Sequence, residues 1–140
     1  MSLLPVVAWA GEPERYFPDD LQQDGRITLF PAFTPDGQTL YITQSEGSPI
    51  WNYPQRLKRS ERTAAGWSAP DVVDFGEDAR SDGGSVTPDG QRLFFAMEVE
   101  CGGSDIVVSE RVGDTWSSPR NPGCDVNSPA EEFGAPVARR

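Results

Sequence analysis

The side chains best suited to bond-breaking chemistry in this sequence are carboxylates and phenols. The chain has no histidine, which excludes Ser-His and Cys-His nucleophiles and His-ligated metals from its own residues. A glycosidase needs two carboxyl groups flanking a cleft. Glu98, Glu100, Asp105, Glu131 and Glu132 could supply such a pair at one loop end, although solvated acidic loops are the simpler reading. A tyrosine nucleophile would have to be Tyr16, Tyr41 or Tyr53, and Tyr41 sits in an apolar run that reads as core. Calcium ligands are abundant at Asp71, Asp74, Glu77, Asp78 and Asp82, but the EF-hand spacing is absent. Gly83-Gly84 and Gly102-Gly103 read as turn or bulge glycines, because neither phosphate-loop nor dinucleotide patterns accompany them. These residues predict no catalytic site, no cofactor and no metal.

Composition narrows the partners. A chain of 140 residues implies one domain. Its formal net charge of −10 repels phosphates, so neither nucleic acid nor anionic lipid is expected. No apolar run approaches the roughly 20 residues that span a bilayer, so membrane insertion is not expected. Leu3 to Ala10 is apolar, and Ala8-Trp9-Ala10 resembles a small-residue cleavage site without the usual basic start. A leader remnant and an ordinary first strand both fit it. Val, Ile, Leu and Phe make up only about a fifth of the chain, while 14 Gly and 13 Pro favour many turns.

The organising feature is an internal repeat. Phe33-Thr34-Pro35-Asp36-Gly37-Gln38 recurs as Val86-Thr87-Pro88-Asp89-Gly90-Gln91, 53 residues on. Leu40-Tyr41-Ile42 recurs as Leu93-Phe94-Phe95 at the same offset. Ser60-Glu61-Arg62 and Trp67-Ser68-Ala69-Pro70 recur as Ser109-Glu110-Arg111 and Trp116-Ser117-Ser118-Pro119, now 49 residues on. The first copy therefore carries a longer loop between its second and third blocks.

Each copy predicts four short strands. The first covers Thr28 to Thr34, or Gly84 to Thr87. Pro35, Asp36 and Gly37, like Pro88, Asp89 and Gly90, then form a tight turn: Pro presets φ, Asp bonds back to the backbone and Gly accepts positive φ. The second strand covers Thr39 to Thr43, or Arg92 to Met97, and the third Leu57 to Arg62, or Asp105 to Arg111. The fourth begins at Trp67 or Trp116 and carries a proline suited to a sheet edge. A period near 50 with four antiparallel strands is a propeller blade, giving an all-β fold.

The two Thr-Pro-Asp-Gly-Gln blocks with their following strands resemble the WD-repeat-like β-propeller repeat of the TolB type. Gly102-Gly103-Ser104-Asp105-Ile106-Val107-Val108-Ser109, then Trp116-Ser117-Ser118-Pro119 and Val126-Asn127-Ser128-Pro129, resemble the continuation of such a blade. The resemblance covers about residues 28–138. It implies a bacterial, often extracytoplasmic, binding or scaffolding propeller. Ser109 to Trp116 also resembles the Asp-box hairpin of sialidase-type propellers, with Arg111 where that motif has Asp; the hairpin is a folding element and implies no glycosidase.

The organisation follows. Residues 1–27 are an N-terminal segment, read as a leader remnant and, where Trp9-Ala10-Gly11-Glu12-Pro13 echoes the fourth strand, the outer strand of a preceding blade; 28–79 are a first blade, 80–128 a second, and 129–140 the first strand of a truncated third. Propellers close with about 4 to 8 blades. Two blades predict either a fragment of a larger propeller or a subunit that completes a ring with other copies. Leu57-Lys58-Arg59 can leave one face of the first blade in water, whereas Ile106-Val107-Val108 calls for neighbours on both faces of the second.

Cys101 and Cys124 fall in connections at the same end of an up-and-down blade, so a disulfide between them and a pair of free thiols both fit. Features unique to one copy are the better functional candidates. These are Trp51 and Tyr53 in the longer loop, which could stack on a sugar or a protein, and the basic residues Lys58 and Arg59. The expected function is a non-catalytic module that binds a protein or an envelope glycan, periplasmic or secreted, with the cytoplasm as the alternative. The competing expectation is a piece of a propeller hydrolase, peptidase or sialidase-like, with its catalytic residues outside this chain.

Overall fold

A computed structural model describes residue 21 and residues 25–75, 80–99 and 103–134. The described residues are all-β, in two antiparallel sheets. The first sheet contains β1 (Ile27–Phe33), β2 (Thr39–Ser45), β3 (Gln55–Thr63), β4 (Gly66–Trp67) and β5 (Asp71–Val72). The second contains β6 (Ser81–Val86), β7 (Arg92–Val99), β8 (Gly103–Val112) and β9 (Thr115–Trp116). Strand order is β1-β2-β3-β4 and β6-β7-β8-β9, each strand beside its sequence neighbour, with β5 also on β3. This is the meander expected of propeller-type repeats.

The repeat holds at the level of single hydrogen bonds. Gly37 and Gly90 donate to the carbonyls of Thr34 and Thr87, each at 2.8 Å. The Asp36 and Asp89 carboxylates accept the Gln38 and Gln91 amides, each at 3.0 Å. They also accept the Thr34 and Thr87 hydroxyls. Gly37 and Gly90 sit at φ 68° and 71°, a conformation that favours glycine. Both inner strands carry a register shift at the same place, between Leu29 and Ala32 in β1 and between Asp82 and Ser85 in β6.

The outer strand is short and split. β4 pairs with β3 at Arg62 and Thr63, and β5 resumes at Lys58 and Arg59. The second sheet repeats this, with β9 on β8 followed by a bridge between Val108 and Arg120. Pro70 and Pro119 cannot donate to a ladder, so pairing breaks there. Serine hydroxyls restore part of it: Ser68 and Ser117 Oγ accept the Glu61 and Glu110 amides, each at 3.0 Å.

The main core lies between the sheets. Tyr41, Leu57, Val73 and Phe75 meet Leu93, Phe95, Met97, Val107 and Trp116. Phe75 and Phe95 stack at 4.3 Å, and full burial of each such side chain contributes about 1.5–3 kcal/mol. Tyr41 faces the second sheet, whereas its neighbours Leu40 and Ile42 face away and pack under Leu21. The outer face of the first sheet is therefore covered, not left in water. Ile106 and Val108 are also buried. The expected leader and preceding outer strand within residues 1–20, and Tyr16, Glu77, Asp78, Glu100 and Cys101, lie outside the described residues.

Candidate ligand cleft

The loop after β2 is longer in the first copy, and its length is spent on lifting Trp51. Pro49 leads into a 3-10 turn at Ile50–Asn52. Gln55 Nε2 donates to the Ile50 carbonyl at 3.1 Å, which fastens the turn to the start of β3. The Tyr53 ring lies on Gly47 so closely that a Cβ there would come within 2.6 Å of it, so a larger residue would have to displace the ring. Trp51 stays 76% exposed at the tip.

The start of β6 lines the same cavity as Trp51. Asp82 is only 2% exposed. Arg80 Nη2 is its nearest cation, 3.8 Å from Oδ2. Asp82 Oδ1 and Arg80 Nε are both buried without a hydrogen-bond partner. Burial pushes the Asp82 carboxyl above the usual aspartate range; Arg80 opposes that shift and Glu131 adds to it.

The third wall is the segment after β9. Asn127, 1% exposed, accepts the Ile106 amide and donates to the Ile106 carbonyl, both at 2.9 Å. Its side chain thus does the job of a strand backbone for Ile106 in β8. The Glu132 amide then donates to the Ser104 carbonyl at 2.7 Å. Gly103 lets the segment close, since a Cβ there would sit 3.0 Å from the Ala130 carbonyl oxygen. Glu131 and Phe133 are thereby carried to the cleft.

Phe30, Trp51, Arg80, Asp82, Glu131 and Phe133 line a cavity of about 300 Å³. Its rim is apolar, with Phe133 53% and Phe30 46% exposed, and its floor is ionic. A second cavity of about 460 Å³ shares Arg80 and Glu131 and adds Glu98 and Ser104.

Of the residues singled out in the sequence, Trp51 lines the cleft and Tyr53 braces its loop. Lys58 and Arg59 lie elsewhere. Lys58 is 8% exposed in β3, paired with Ile42 and Val72, and burial lowers its pKa. Arg59 donates to the Asp114 carbonyl at 3.1 Å and faces Glu61 at 3.6 Å. Glu98 and Glu131 share a cavity, Glu132 holds Ser128, and Asp105 is fully buried. Tyr41 is core: its hydroxyl accepts the Trp116 indole N–H. Asp36 and Asp89 belong to their turns, whose hydrogen bonds hold both carboxyls below the usual range. Among the described residues no group of three or more acidic or cysteine side chains is placed to hold a metal. Cys124 is disulfide-bonded. No described helix is long and apolar enough to cross a membrane.

Arg80 and Phe133 were not among the candidates read from the sequence, and Asp82 was read only as one carboxylate of an acidic stretch. One signal was available: Asp82 stands where the first copy has Leu29, so it breaks the repeat. No protein-family model matches the chain, and no curated protein or solved structure matches it at a significant level.

Proposed function

We propose that this chain is a non-catalytic binding module built of TolB-like propeller repeats, of bacterial and extracytoplasmic type, stacked with further blades in the same or another chain. The observation that carries the proposal is the cleft, where the exposed Trp51 lines the same cavity as a buried, partnerless carboxylate oxygen of Asp82. A cleft with an apolar rim and a few convergent polar groups is the usual form of a ligand site. The disulfide at Cys124 fits an oxidising compartment. Gly134 supports the propeller reading: at φ 69° it repeats the backbone of Gly83 and lies against it. The test is a parallel screen of a glycan array and a phage-displayed peptide library with wild type and Trp51→Ala. Binding that Trp51→Ala loses without a fall in melting temperature supports the module. No binding in either set, or equal binding by the variant, contradicts it.

A further inference from the structure

We infer that the cleft binds one or two rings of a neutral pyranose saccharide, stacked on Trp51 and held through adjacent hydroxyls by Asp82 and Arg80. This inference rests on the proposed binding module and names its ligand class.

Three observations point the same way. The first is shape. Trp51, Phe30 and Phe133 offer apolar ring surfaces at the mouth of a 300 Å³ cavity. That volume lies at the small end of the range for ligand pockets, about 300–1,000 Å³, which suits a sugar ring on an aromatic face.

The second is the floor. Asp82 Oδ1 is a strong acceptor with nothing to accept, and Arg80 Nε is a donor with nothing to receive it. The two side chains lie together, Nη2 to Oδ2 being 3.8 Å. Leaving such groups buried and unpaired is costly, and more so when they are charged. Neighbouring sugar hydroxyls both donate and accept, so a diol satisfies the carboxylate and the guanidinium at once.

The third is charge. Asp82 and Glu131 outnumber Arg80 in the lining, which disfavours phosphate, sulfate and acidic sugars. The Arg80 guanidinium beside Asp82 likewise disfavours a metal cation. A neutral, hydroxyl-rich ligand meets neither objection.

The experiment titrates the oxidised chain with maltotriose, cellotriose, mannotriose and chitotriose, read by calorimetry and by the indole N–H resonance that Trp51→Ala removes. Sialyllactose serves as the anionic control. The expected result is saturable binding of at least one neutral trisaccharide and weaker binding of sialyllactose. Trp51→Ala and Asp82→Asn are each expected to lose about tenfold or more in affinity. Trp51 is exposed, so its variant folds and keeps the test decisive even if Asp82→Asn does not. Silence of all four trisaccharides, or unchanged affinity in Trp51→Ala, overturns the inference. The peptide library, run in parallel, separates the two levels. Trp51-dependent peptide binding with silent sugars overturns the saccharide and leaves the module standing, whereas silence of both overturns both.

Discussion

The indole N–H of Trp116 donates to the phenolic oxygen of Tyr41 at 3.0 Å, across the boundary between the two sheets. The rings meet edge-on at 6.2 Å. Repeat symmetry explains the pairing. Trp67, the counterpart of Trp116, lies on the far face of the first sheet, and Phe94, the counterpart of Tyr41, lies on the far face of the second. The sheets thus stack with unlike faces together, a head-to-tail contact that can propagate.

Tyr41→Phe strands the Trp116 donor in a dry interface. The expected loss of stability is about 1–3 kcal/mol, measured by chemical denaturation. A variant as stable as wild type would show that the bond contributes nothing.

Phe30, Gly83 and Gly134 hold equivalent left-handed positions, at φ 52°, 66° and 69°. Phenylalanine there carries steric strain of roughly 1–2 kcal/mol, which glycine avoids. Phe30→Gly is expected to raise stability by about 0.5–1 kcal/mol, after the entropy that glycine loses on folding. Gly83→Ala is expected to lower it by about 1–2 kcal/mol, since the added Cβ also comes within 3.3 Å of the Gly134 amide nitrogen. Thermal melts of the two variants should move in opposite directions.

Asp82 makes the folded chain dependent on pH. Its pKa is raised by burial, so its contribution to stability is full below the ordinary aspartate range and is lost as pH rises through its folded value. Asp82→Asn should therefore melt higher than wild type at neutral pH, and the difference should vanish in acid. A gap that stays constant with pH would contradict the assignment. Asp36 and Asp89 run the other way: their lowered values add stability above the ordinary range that is lost as pH falls through the folded ones.

The disulfide of Cys124 should be structural. Cys101 is the only other cysteine in the chain, so an intact bond should leave no free thiol in the unfolded, oxidised protein. Reduction should lower stability by about 2–4 kcal/mol. Two titratable thiols under those conditions would contradict the bond.

The all-β fold and its two units were legible because turns and sheet edges have strong local chemistry. Pro35-Asp36-Gly37 and Pro88-Asp89-Gly90 announce their turns, and Trp67 and Trp116 mark the outer strands at fixed offsets. Trp51, Asp82 and Glu131 were each legible as candidates, but not as one cleft. Arg80 and Asp82 come from one segment and Glu131 and Phe133 from another far along the sequence, and Asp82 read as one more member of an acidic stretch until stacking buried it. Lys58 misled in the opposite sense. It looked like an exposed cation, but it fills the strand position that Val107 holds in the second copy, and the first sheet's cover buries it.

The most direct test of the account is a set of nuclear Overhauser contacts in the isolated, oxidised chain. Stacking of unlike faces predicts contacts between the Trp116 indole and the Tyr41 ring, and between Gly83 and the Gly134 amide. Contacts between the Trp116 and Trp67 rings, which require like faces together, would contradict it and remove the walls that form the cleft.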